Sequence, residues 1–144
     1  WQNVKYEKGE IKVVVYDEQG NKAGEKTVKT AGKPAKLQLT ADRSTIAADG
    51  SDLAFITVSL TDKNGTLCPD ADHSLEFKVT GAATFNSVCN GDATSLEVFT
   101  EPTMKLFHGQ LVVVVQASTA PGKATLSVRD KSTGIRASLP ITVK

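Results

Sequence analysis

Apolar residues in this chain recur at intervals of two, and almost nowhere at intervals of three and four. Ile11, Val13 and Val15 alternate with Glu10, Lys12 and Val14. Leu37 and Leu39 flank Gln38, and Ala54, Ile56, Val58 and Leu60 alternate with Phe55, Thr57 and Ser59. The same beat runs through Leu75, Phe77 and Val79, through Ala124, Leu126 and Val128, and through Ile135, Ala137, Leu139, Ile141 and Val143. A strand points successive side chains to opposite faces, so this period makes one face oily and the other wet. Antiparallel sheets packed on one side are built that way. Leu111 to Val115 is the exception, apolar in both phases. It predicts a central strand covered on both faces, or one whose outer face meets a neighbouring domain.

Turn chemistry separates these runs. Asp17-Glu18-Gln19-Gly20 and Asp62-Lys63-Asn64-Gly65 each follow an aliphatic strand, and glycine supplies the positive φ that a tight turn needs. Asp49-Gly50, Pro121-Gly122 and Thr133-Gly134 are further breaks. Counted from Pro34, the pattern predicts seven or eight short strands, the signature of an all-β, immunoglobulin-like antiparallel β-sandwich. Pro140 cannot donate to a ladder, so its strand is expected at an edge or at a bulge.

Residues 1–32 read differently from residues 33–144. They hold two strand-like runs, Glu10–Tyr16 and Ala23–Thr30, joined at Gly20-Asn21, and then a short Gly32-Lys33-Pro34 join. A lone hairpin is marginal in water. The expectation is an N-terminal β-hairpin remnant of a preceding β-sandwich domain that leans on the sandwich of residues 33–144. The chain opens on Trp1 without an initiator Met, inside what reads as a half-finished element, which points to a piece of a larger protein.

Composition narrows the function classes. Seventeen basic and sixteen acidic residues, interspersed, leave a formal charge of +1. No Lys/Arg block is available to track a phosphate backbone, which argues against nucleic acid as a partner. A spanning helix needs about 20 apolar residues, and no run approaches that, so no membrane span is expected. Cys68 and Cys89 lack metal-ligand spacing. They are either two separate, partly buried thiols or one disulfide, which would contribute about 3 kcal/mol by closing a loop of about 20 residues.

Candidate chemistry is sparse. Glu76, Glu97 and Glu101 are carboxylates by type only, and Glu76 alternates with Leu75 and Phe77, so it should face water. Asp70, Asp72 and Asp92 have the hard oxygens Ca²⁺ prefers, but Asp and Asn in turns more often bond their own backbone, and no EF-hand loop is present. His73 and His108 are far apart and read as surface or turn residues. Asn64-Gly65-Thr66 fits a glycosylation acceptor and is equally explained by the turn. No catalytic residue, metal ligand or cofactor is therefore expected. A sugar-contacting surface would need exposed rings. Phe77 shares the oily phase of its strand, whereas Phe55 lies on the polar phase and is the first candidate, with Phe99 and Phe107 next. The bland alternative is packing under loops or against a missing neighbour.

At specific residues the chain resembles a known family. Trp1…Tyr6-Glu7-Lys8-Gly9-Glu10-Ile11, Val15-Tyr16-Asp17…Gly20 and Thr30-Ala31-Gly32-Lys33-Pro34 resemble the join between two C-terminal β-sandwich domains of bacterial glycoside hydrolase family 2, or β-galactosidase-like, enzymes. Leu39-Thr40-Ala41-Asp42-Arg43, Ala48-Asp49-Gly50, Pro69-Asp70-Ala71-Asp72, Asn90-Gly91-Asp92 and Phe107-His108-Gly109 resemble their last immunoglobulin-like domain. The family commonly has Pro after Asn-Gly-Asp and a His-Glu pair soon after, where this chain has Ala93 and Leu96-Glu97. The resemblance implies a non-catalytic accessory domain, since the family's catalytic carboxylates lie in a barrel this chain does not contain. It implies the preceding domains of the same polypeptide as partners, a polysaccharide as a further one, and a periplasmic or secreted bacterial location. Two rival readings are a carbohydrate-binding module and a stalk repeat of an invasin-type adhesin.

Overall fold

The computed structural model describes residues 2–144; Trp1, which opens the first family-like segment, lies outside the described residues. All regular structure among the described residues is β. Strands β1 (Glu10–Tyr16) and β2 (Lys22–Lys29) pair antiparallel as a separate ribbon. One sheet of the sandwich contains β3 (Lys36–Ala41), β5 (Leu53–Thr61), β9 (Gln110–Ala117) and β7 (Ala83–Cys89), side by side in the order β3-β5-β9-β7. The other contains β4 (Thr45–Ile46), β11 (Arg136–Val143), β10 (Gly122–Asp130), β6 (Ser74–Gly81) and β8 (Thr103–Lys105), in the order β4-β11-β10-β6-β8.

Nine strands thus follow Pro34, where the alternation indicates seven or eight. β4 and β8 are two and three residues long, too short to show a period. β7 hides its own beat. Its register on β9 jumps between Phe85 and Ser87, and this bulge throws the oily positions out of phase.

The core forms where the two sheets face each other. Ala54, Ile56, Val58 and Leu60 of β5 are fully buried, as are Leu75 of β6 and Leu126 of β10. Burying one such aliphatic side chain contributes about 1.5–3 kcal/mol. Phe77 stacks on Phe85 across the layers, with ring centroids 6.2 Å apart. β9 is central in its sheet, as its two-phase apolar pattern indicates. Its inward Leu111, Val113 and Val115 join the core. Its outward Val112 and Val114 are largely shielded by side chains opposite them, Thr57 and Cys89 around Val112 and Phe55 and Ser87 around Val114. Pro140 sits on β11 before its brief parallel pairing with β4, where β11 has a partner on one side only. The missing N–H therefore costs no ladder bond.

The ribbon departs from expectation. It does not lean its apolar side chains on the sandwich: Ile11 is 67% exposed, Val13 44%, Val15 56% and Val28 63%. Backbone bonds and the Asp17 turn hold its shape, and these four residues stay exposed.

Candidate functional site

The region that joins ribbon to sandwich is held by a network of hydrogen bonds. It is built on the turn after β5. The Asp62 carbonyl accepts the Gly65 N–H at 3.1 Å, and Gly65 takes φ 84° to close the turn. Asp62 Oδ1 accepts the N–H groups of Asn64 at 2.8 Å and Thr66 at 2.9 Å. Asp62 Oδ2 reaches outside the turn and accepts the Gly32 N–H at 2.8 Å. The Gly32 carbonyl faces the buried Cys68 thiol, 3.6 Å from Sγ. Gly32 is thus held on both of its backbone groups, thirty and thirty-six residues away in sequence. The Gly32 and Thr66 amides lead the bonds that hold the Asp62 carboxyl below its ordinary value, against the opposing pull of burial. Burial, with the negative charges of Asp62 and Asp70, pushes the Cys68 thiol up. An open groove of about 850 Å³ runs along this joint, between Lys8, Glu10 and Lys29 of the ribbon and Asp62, Lys63 and Asn64 of the sandwich.

The ribbon itself is two-faced. Ile11 lies opposite Val28, and with Val13 and Val15 forms an apolar face. On the other face Lys12 bonds Glu25 at 2.7 Å, Lys22 bonds Glu25 at 2.6 Å and Lys29 lies 3.3 Å from Glu10. Such exposed pairs, screened by solvent, add little to stability. Their value here is to mark which face belongs in water.

The other candidates disperse. Phe55, 44% exposed, lies on the outer face of the four-stranded sheet opposite Val114. Phe99, 54% exposed, lies on the loop between β7 and β8, its carbonyl accepting the Val88 N–H at 2.8 Å. Phe107, 38% exposed, lies in the turn before β9 with its ring 4.2 Å from that of His108. Strands β9 and β7 separate Phe55 from Phe99. Among the described residues the aromatic contacts are Phe107–His108 and the core pair Phe77–Phe85, so these three phenylalanines do not pair with one another.

The two cysteines are free, which corrects the disulfide alternative for Cys68 and Cys89. Cys68 is buried behind Gly32, whereas Cys89 is exposed at the end of β7. Glu76 is exposed, its carboxylate 4.0 Å from Arg129. Glu97 accepts the Lys105 N–H and so ties its loop to β8, whereas Asp92 accepts the Thr94 N–H and hydroxyl and serves its own loop. Among the described residues no three His, Cys, Asp or Glu side chains come together as a metal group. No helix of the described residues is long and apolar enough to cross a membrane.

One pair escapes a reading of the sequence. Asp130 is fully buried, and its Oδ2 lies 2.7 Å from His73 Nδ1 and 2.7 Å from the Thr133 hydroxyl. Its Oδ1 accepts the Ser132 N–H at 2.8 Å. Burial pulls this carboxyl upward, but the bonds from His73, Thr133 and Ser132 outweigh it and hold the group below its ordinary value. His73 is thus half-buried and paired rather than a simple surface residue. The Asp-Lys-Ser-Thr-Gly turn signals a carboxylate with local work, but nothing local points to a histidine fifty-seven residues away.

These features define an immunoglobulin-like β-sandwich module fixed by a clamped joint to a ribbon with an unpartnered apolar face. The chain belongs to the family "Glycoside hydrolase family 2 C-terminal domain 5", whose profile matches residues 37–136. It is similar to Beta-galactosidase BoGH2A of Bacteroides ovatus, 45% identical over 133 residues. That match takes in 92% of the chain and 15% of the relative's length. A solved glycosyl hydrolase family 2 member from Bacteroides cellulosilyticus superposes with TM-score 0.93 at 35% identity, over 98% of this chain and 18% of that one. A C-terminal intimin fragment superposes with TM-score 0.53 at 20% identity, over 76% of this chain and 33% of that one, a likeness of fold alone.

Proposed function

We propose that this chain is the accessory C-terminal part of a β-galactosidase-like glycoside hydrolase that works in the periplasm or outside the cell. Residues 33–144 are the accessory sandwich, and residues 1–32 are the end of the domain before it. The sandwich carries no chemistry; it packs against and orients the rest of the enzyme. The observation that carries this reading is the match of the family profile to most of the sandwich. The 45% identity to a β-galactosidase several times longer supports it, as does the apolar face of the ribbon, which needs a cover. The adhesin-repeat alternative has only a shared fold behind it.

The test compares the 144-residue chain with the full polypeptide on an aryl β-galactoside. The full polypeptide should hydrolyse it and the chain should not. An upstream sequence of tandem sandwiches without a barrel would overturn the reading. Calorimetry of the chain against galactan is expected to show no heat; saturable binding that Phe55→Ala abolishes would make it a carbohydrate-binding module instead.

A further inference from the structure

The long loop between β7 and β8, residues 90–102, exposes apolar side chains while being held in shape. Leu96 is 97% exposed, Val98 58% and Phe99 54%. Glu97, between the first two, turns back and accepts the Lys105 N–H at 3.1 Å, while the Asn90 side-chain amide donates to the Lys105 carbonyl at 3.1 Å. The loop is therefore braced on β8 with its apolar residues pointing away. Contiguous exposed apolar groups of this kind mark contact surfaces more often than chance.

The topology says where the loop sits. Cys89 at the end of β7 pairs Val112 near the start of β9. Ser59 near the end of β5 pairs Gln110, and Thr61 pairs Lys36 at the start of β3. The loop therefore leaves the sandwich at the same end as the joint. It sits at the far edge of the same sheet, two strand spacings or roughly 10 Å from β5, which carries the Asp62 turn. Between them is the turn at His108-Gly109, with φ 49° and 75°, which presents Phe107 at this same end.

We propose that this end of the sandwich is a docking surface, with Leu96, Phe99 and Phe107 as its anchors, and that its occupant is the upstream part of the same polypeptide. The proposal rests on the accessory-domain reading above. A partner tethered through the clamped joint is present at an effective concentration of the order of millimolar. A second copy or a free polysaccharide has no such advantage. The relative's length leaves ample upstream chain to serve, since the matched segment is 15% of it.

The experiment measures hydrogen exchange in residues 94–100 and 106–109, in the 144-residue chain and in the full polypeptide. Exchange there should slow by roughly tenfold or more in the full polypeptide. Leu96→Asp should restore fast exchange in the full polypeptide, yet leave the Tm of the isolated chain unchanged, because Leu96 there touches little. Equal exchange in both forms would overturn the proposal. So would protection in the isolated chain that grows with its concentration, which would mean a second copy, or protection that appears only with added galactan. If the full polypeptide hydrolyses no glycoside but these segments are still protected, the accessory-enzyme reading fails and the docking surface stands.

Discussion

Asp17 and Asp62 make the same turn in two different settings. Each carbonyl accepts the N–H of the glycine three residues on, at 3.0 Å for Asp17 and 3.1 Å for Asp62. Each Oδ1 accepts the N–H groups two and four residues on. They differ in the remaining oxygen. Asp17 Oδ2 accepts from the Asn21 side chain at 3.2 Å, inside its own turn. Asp62 Oδ2 accepts from Gly32, thirty residues away. One turn ends a ribbon whose apolar face is bare; the other ends a strand whose apolar face is sealed and also anchors the joint. Local chemistry closes a turn equally well in either place. What it is worth to the molecule depends on what else the carboxylate holds.

The widest gap between the two regions should appear on removing apolar side chains. Leu126→Ala, in the sealed core, should cost about 3 kcal/mol in denaturant melts of the isolated chain. Ile11→Ala on the ribbon should change the same melts by less than about 0.5 kcal/mol. Similar costs would erase the distinction.

Asp130 sharpens it next. Asp130→Ala leaves the buried surroundings and its donors without an acceptor, and should cost about 2 kcal/mol. The same carboxylate sets an acid limit. Its folded-state value lies below the ordinary 3.8, so its contribution is complete above that pH and is lost as pH falls below it through the depressed value. Melts should be nearly independent of this group from neutrality down to about pH 5, then fall steeply below about pH 4. In Asp130→Asn that acid slope should be shallower.

The paired turns come third. Asp62→Ala should lower the Tm and speed exchange of the Gly32 amide, whereas Asp17→Ala should leave both unchanged, because its bonds all lie within the ribbon. Equal effects would mean that the long-range bond is incidental. The smallest effect concerns the thiols. A maleimide should label Cys89 in the folded chain and Cys68 only on unfolding, and reduction should leave the intact mass unchanged.

Much of this architecture was legible in the residues, and the exceptions have physical causes. β5 was readable because four buried positions keep a strict beat of two, and both Asp-to-Gly turns because glycine marks the positive φ. β7 was obscured because one bulged residue reverses the phase of all that follow. β4 and β8 are shorter than any period. The Gly32 clamp and the Asp130–His73 pair depend on contacts between residues thirty and fifty-seven positions apart, which no local pattern encodes. The ribbon misled for a related reason. Its alternation correctly shows an apolar face but cannot say whether that face is covered within this chain. Phe55, Phe99 and Phe107 are partly exposed, yet sequence spacing could not tell that two strands stand between the first two.

Native-state hydrogen exchange of the isolated chain, read amide by amide, tests the central contrast most directly. Amides of β5, β9 and β10 should exchange only through global unfolding, and Leu126→Ala should lower their protection in step with its loss of stability. Amides of β1 and β2 should exchange through local opening, with low protection that Leu126→Ala does not alter. If ribbon and sandwich instead show one shared protection that falls together in the variant, the ribbon is part of the same cooperative unit and the account is wrong.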